Sequence, residues 1–239
     1  MTHPAGGLQA RDFEEIRLSE ALERGRCPMC DARQEASFAA LRGLAREGAT
    51  DRGLRAQMDK GVGFCPPHAL GLSKMEILQT SSQLATAVLL DAVLRRRLAA
   101  FGKLAGSDPG AQQRGATDLL DPRCPVCARV AEASGATADR LLRLAADPAW
   151  ASALGRAELC LADLLALWTV ASGSRDLSAR WTPILEAQRR RLAELQATLA
   201  EFAHNSTADR RHLITPEQQR AGAAAIRLFS GTPDRDRNR

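Results

Sequence analysis

Six cysteines hold most of the chemistry legible in this 239-residue chain. Four of them form two Cys-Pro-x-Cys pairs, Cys27-Pro28-Met29-Cys30 and Cys124-Pro125-Val126-Cys127. The other two, Cys65 and Cys160, are each followed three residues later by a further donor, His68 and Asp163. Two close ligand pairs separated by an intervening segment are how a tetrahedral zinc site is assembled. Chain order predicts a first site from Cys27, Cys30, Cys65 and His68, and a second from Cys124, Cys127, Cys160 and Asp163. Three sulfurs with one imidazole nitrogen favour zinc over iron. The second set is either a three-Cys-one-Asp site, since carboxylate oxygen also ligates zinc, or a decayed site whose thiols only pack. His204 and His212 are alternative nitrogen donors for it, or plain surface histidines. The cofactor expected is therefore one zinc, with a second possible.

Other readings of the thiols stay open. Cysteine is among the most buried residue types, so the six could be inert core thiols. Stable disulfides fit poorly with a reducing compartment. A CPxC pair at a helix start also occurs in thiol oxidoreductases, where the first thiol has a lowered pKa. That chemistry usually sits on a strand-rich fold.

The elements around the cysteines read as helices. Pro28 and Pro66 suit the first position of a helix, with Cys27 and Cys65 as the residues before them. Free backbone N–H groups at a helix start stabilise the thiolate that a metal binds. Residues three apart there share one face, so two helix starts brought together present four ligands. Long Ala/Leu/Arg/Glu segments extend this pattern along the chain, and alternating β-branched runs are missing. The expected fold class is all-α, a helical bundle. Helices are predicted over Leu8–Arg24, Pro28–Glu47, Arg52–Lys60, from Pro66, and over Gln83–Phe101, Pro125–Ala146, Pro148–Leu154, Cys160–Ala171, Pro183–Phe202 and Pro216–Phe229. Leu185, Leu192 and Leu199 recur every seven residues beside Gln188, Leu195 and Phe202, the apolar stripe of a bundle helix. Trp150, Trp168 and Trp181 are expected as core anchors, and Met29, Met58 and Met75 as gap fillers.

The halves of the sequence resemble each other. The second CPxC follows the first by 97 residues, Cys160 follows Cys65 by 95, and Arg189-Arg190-Arg191 follows Arg95-Arg96-Arg97 by 94. Landmarks in the same order point to a tandem duplication. The domains expected are a first helical module over 1–102, a linker over 103–122 rich in Gly, Asp and Pro, a second module over 123–231, and a disordered tail over 232–239.

With Gly63-Phe64-Cys65-Pro66-Pro67-His68 and Leu228-Phe229-Ser230-Gly231 added to the two CPxC pairs and Cys160, the chain resembles an uncharacterised family of bacterial helical proteins with twin CPxC modules and a GFCxxH motif. The resemblance spans roughly Leu18 to Gly231. It implies a helical, metal-binding protein, and a histidine in the second module where this chain has Asp163.

Composition narrows the function classes. Charged residues make up 26% and hydrophobic residues 45%, which excludes a wholly disordered chain. No run of eighteen apolar residues predicts a membrane span. The start, Met1 to Arg11, lacks an apolar stretch followed by a small-residue cleavage site, so a cytoplasmic location is expected. The net charge of +5 is modest, and Asp91–Arg95 and Glu186–Arg190 read as ordinary pairs on solvated helix faces. Nucleic acid and membrane are therefore not expected partners; another protein is. No phosphate loop, nucleophile elbow or two-histidine protease motif is present. The function expected is a zinc-binding helical scaffold or a regulatory, interaction protein. A thiol-based redox sensor using the CPxC pairs is the alternative, and a metal-dependent enzyme with a site between modules the third reading.

Overall fold

The computed structural model describes residues 8–60, 63–104, 123–207 and 209–231. Most of the expected linker, residues 105–122, and the expected tail at 232–239 lie outside these. The protein is all-α. Its helices are α1 (Phe13–Glu23), α2 (Pro28–Glu47), α3 (Arg52–Asp59), α4 (Pro66–Thr80), α5 (Leu84–Leu104), α6 (Pro125–Leu144), α7 (Pro148–Arg156), α8 (Leu161–Ser172), α9 (Arg175–Asn205) and α10 (Pro216–Ser230). A 3-10 turn covers Arg211–Leu213. Among the described residues there is no β-strand, and no helix is long and apolar enough to cross a membrane.

The chain divides differently from the sequence expectation of 1–102 and 123–231. Unit 1 joins the chain up to Arg33 with the chain from Ala133 onward, and unit 2 spans Gln34–Glu132. Side-chain packing explains the assignment. Leu18, Leu22, Cys27, Met29 and Cys30 share one buried core with Leu141, Leu142, Trp150, Leu154, Leu167, Trp181 and Ile184. Hydrophobic burial thus ties the start of the chain to its second half.

Unit 1 is organised on α9, which packs against α7, α8 and α10. The sequence predicted a helix beginning at Pro183; the helix instead begins at Arg175 and holds Pro183 in its interior. Proline there removes a donor and strains the preceding turn. The stripe Leu177, Trp181, Ile184 and Gln188, all buried, holds the helix through it. Gln188 has no exposed surface, and its side-chain N–H groups donate to the carbonyls of Leu154, Gly155 and Ala157 at 2.8, 3.1 and 3.0 Å. It closes the C-terminal end of α7, where carbonyls lack intrahelical partners. Trp150 and Trp181 are core residues as expected, but Trp168 is 51% exposed. It lies on the same side of α8 as the exposed Leu161 and Leu165, away from the buried Asp163, Leu167 and Ala171.

Unit 2 packs α5 against α3 and α4 around Leu41, Leu54, Met58, Leu72, Leu89 and Val126. The start of α5 is closed from outside the helix. The buried Glu76 of α4 accepts the backbone N–H of Ala85 at 2.7 Å and of Thr86 at 2.8 Å. Burial pushes this carboxyl up, but the amides of Thr86 and Ala85 outweigh it and hold the group below its ordinary value. The charged carboxylate therefore stabilises the fold above its unfolded pKa, near about 4.3, and that contribution is lost as pH falls through the lowered folded value. Replacing Glu76 with Gln is expected to cost about 1 kcal/mol at neutral pH. In denaturant titrations of both proteins, the gap between them should close on acidification, and a gap independent of pH would contradict the carboxylate cap.

Candidate metal centres

Each of the four cysteine landmarks sits at a helix start. Cys65 and Cys160 occupy the positions before α4 and α8, and their carbonyls accept the first helical bonds, from Ala69 and Leu164, both at 2.9 Å. Cys27 and Cys124 do the same before α2 and α6, accepting from Asp31 and Ala128. The second cysteine of each CPxC follows one turn later on the same face. Proline at the first helical position needs no N–H partner there, which explains the recurring Cys-Pro step.

The pairing of these helix starts is crossed relative to chain order. Unit 2 brings Cys65 and His68 to Cys124 and Cys127, and unit 1 groups Cys27 and Cys30 with Asp163, beside which Cys160 reaches Asp163 and Cys30 but does not join the group of mutually close donors. Cys27 and Cys30 are thus not grouped with Cys65 and His68, nor Cys124 and Cys127 with Cys160 and Asp163. The cores dictate this. Met29 is buried with the unit 1 side chains, whereas Val126, at the same place in the second CPxC, is buried with those of unit 2.

In unit 2 the four donor atoms lie within 4.8 Å of one another. His68 Nδ1 is 3.0 Å from Cys65 Sγ, 3.4 Å from Cys124 Sγ and 3.3 Å from Cys127 Sγ, and the Cys65 and Cys127 sulfurs are 3.6 Å apart. Tetrahedral zinc bonds imply edges of about 3.8 Å between sulfurs and about 3.5 Å from sulfur to nitrogen. These four edges therefore stand within about half an ångström of those of a zinc tetrahedron. Burial pushes the His68 pKa down, which favours the neutral imidazole that a metal takes. Burial raises the Cys124 thiol, but the backbone N–H groups of Cys127, Cys65 and Val126 outweigh it and favour its thiolate. Desolvation and the neighbouring Cys65 and Cys124 sulfurs push Cys127 up to about 12, so this crowded set keeps a proton that a cation would displace. Cys124 is buried, Cys65 and His68 half-buried, and Cys127 exposed, which opens the site to solvent on one side.

In unit 1 a single carboxylate oxygen meets three thiols. Asp163 Oδ2 is 2.9 Å from Cys27 Sγ, 3.2 Å from Cys30 Sγ and 3.0 Å from Cys160 Sγ. Cys30 and Cys160 sulfurs are 3.9 Å apart. All four residues are buried. Burial raises the Asp163 carboxyl to about 6, and the S–H groups of Cys27 and Cys30 hold the Cys160 thiolate well below the ordinary thiol range. Arg33, on α2, pairs with Asp163 Oδ1, and its Nη2 lies 3.3 Å from Cys30 Sγ and 3.7 Å from Cys160 Sγ.

Two residues of this centre did not stand out in the sequence as part of it. Arg33 falls three residues after Cys30, where the second CPxC has Val130, and that contrast was the available signal. Gly231, the last residue of the FSG phrase, ends α10 with φ +76° and ψ −177°, a region open essentially only to glycine. A Cβ placed there would meet Cys30 Sγ at 3.1 Å. Gly231→Ala is accordingly expected to destabilise the protein by about 1–3 kcal/mol, read as a lower denaturation midpoint. An unchanged midpoint would show that the α10 terminus does not seal the thiols. His204 and His212 are exposed and are not among the clustered donors.

Comparison with protein-family models, with curated proteins and with solved structures gives no match.

Proposed function

We propose that the protein is a zinc-binding helical scaffold with a regulatory or interaction role, in which a structural zinc held by Cys65, His68, Cys124 and Cys127 clips unit 2. The convergence of those three sulfurs and one nitrogen carries the reading: all lie within 4.8 Å of one another, and the three sulfur–nitrogen edges and the Cys65–Cys127 edge come close to zinc's. Four protein donors fill zinc's tetrahedral shell, the arrangement of structural sites, whereas catalytic sites keep a position open for water. The metal would join the start of α4 to that of α6 across nearly sixty residues of chain, so binding it is part of folding the unit. Exchange of partners between the two halves is also what a tandem duplication of a CPxC and CxxH module permits, in keeping with the bacterial twin-CPxC family that the motifs resemble.

Native mass spectrometry of reduced protein tests the reading. Cys127→Ser alters an exposed donor outside the core and should lower the zinc count by one per chain. An unchanged count would overturn the assignment.

A second reading rests on the 3.6 Å separation of Cys65 and Cys127 and the exposure of Cys127. Hydrogen peroxide could take two electrons from these sulfurs, joining them as a disulfide, becoming two waters and releasing the metal. Zinc release by peroxide that reductant reverses would favour this sensor over a static scaffold.

A further inference from the structure

We propose that unit 1 holds a second metal site, formed by Cys27, Cys30, Cys160 and Asp163, for a divalent thiophilic cation such as zinc, with Arg33 as the positioning residue that makes an aspartate ligand tolerable. The site stands on the unit 1 geometry and does not depend on the reading of unit 2.

Arg33 meets both carboxylate oxygens of Asp163, Oδ1 through Nη1 and Oδ2 through Nη2 at 3.3 Å, and Oδ2 also faces the sulfurs of Cys27, Cys30 and Cys160. A ligating group whose far side is fixed by an outer hydrogen bond is the usual build of a metal site. The 3.9 Å between Cys30 and Cys160 sulfurs is close to the edge of about 3.8 Å that tetrahedral zinc needs between thiolates. The sulfur–oxygen separations of 2.9 to 3.2 Å are shorter than the edge of about 3.5 Å, so Asp163 moves outward by a few tenths of an ångström when the cation enters.

Charge explains Arg33. Around a dication, three thiolates and a carboxylate leave one more negative charge than three thiolates and an imidazole. A buried uncompensated charge is expensive. The Arg33 guanidinium cancels it, and Nη2 donates toward the sulfurs of Cys30 and Cys160. Unit 2 is the internal control. There the fourth donor is the neutral His68, and Val130, the counterpart of Arg33, packs on the apolar core. Histidine goes with valine, and aspartate goes with arginine. Thiols that only packed would give no reason for a half-buried guanidinium beside them.

Cobalt(II) added to the reduced, metal-stripped full chain tests this. Wild-type protein should bind two ions, and Cys127→Ser should retain one, with the near-ultraviolet thiolate-to-cobalt absorption of a three-sulfur site. In that background Arg33→Met should weaken the remaining cobalt by about ten- to a hundredfold. Arg33→Val together with Asp163→His, which copies the unit 2 pairing, should restore it. Losing the metal on Cys127→Ser reads unit 2 alone, and weakening it on Arg33→Met reads unit 1 alone, so the two sites fail separately. One cobalt in the wild type and none in Cys127→Ser would overturn the proposal. So would tighter binding by Arg33→Met, because the guanidinium would then occupy the place of the cation.

Discussion

If unit 2 is clipped by zinc as proposed, stripping that metal from the reduced protein with a chelator is expected to unfold the unit. Structural zinc in small domains contributes on the order of 10 kcal/mol of apparent folding free energy. A single domain is marginally stable by about 5–15 kcal/mol, so a loss of that size removes most of what holds a unit of this length. Among the described residues of unit 2, Met58, Leu72, Leu89 and Val126 are the large apolar side chains with no exposed surface. Hydrogen exchange should show protection collapsing in α3, α4 and α5 after chelation and returning when zinc is added back. Because Cys127 is exposed, a chelator can reach the proposed site without global unfolding. Unchanged protection in those helices after complete removal would mean that the four donors decorate a unit stable without them.

Gln188→Leu is the second large effect. The substitution keeps the volume and removes the donor to three carbonyls at the end of α7. Two of the three retain a backbone partner, since Ala157 N–H donates to Leu154 and Leu159 N–H to Ala157. The carbonyl of Gly155 loses the most. A buried polar group left without a partner costs about 1–3 kcal/mol, which is the expected loss. Chemical denaturation of the variant should show it as a lower midpoint with an unchanged slope. A neutral result would mean that water reaches the end of α7. Gln188→Glu is a sharper control: it removes the N–H donor and adds a buried charge facing carbonyl oxygens, and should be worse than leucine.

Much of this molecule was legible in its residues. Cys-Pro steps marked helix starts because proline is preorganised for the first helical position, and α2, α4 and α6 begin at Pro28, Pro66 and Pro125. The spacing of the cysteines singled out the eight residues, of which seven stand in the two groups of close donors, because three-residue spacing on a helix start is a local property. Which pair meets which was not legible. Swapping partners between two similar halves leaves every local spacing unchanged, so only the cores decide, through side chains such as Met29 and Val126. The division into units at Arg33 and Ala133, in place of 102 and 123, escaped for the same reason. Pro183 misled in the other direction: a strong local signal for a helix start yields to the continuous buried stripe of Leu177, Trp181 and Ile184. Gln188 stood in an apolar row of the heptad, where its amide gave no hint of the three carbonyls around it.

The crossed pairing is the central claim, and graded chelation with mapped alkylation tests it most directly. Metal-loaded, reduced protein is exposed to increasing chelator and a thiol-alkylating reagent, and the label on each cysteine is read by peptide mass. Cys65, Cys124 and Cys127 should become reactive together, at one chelator concentration, while Cys27 and Cys30 remain unlabelled. If Cys65 instead becomes reactive in step with Cys27 and Cys30, the ligands are paired by chain order and the crossed arrangement of the two centres is wrong.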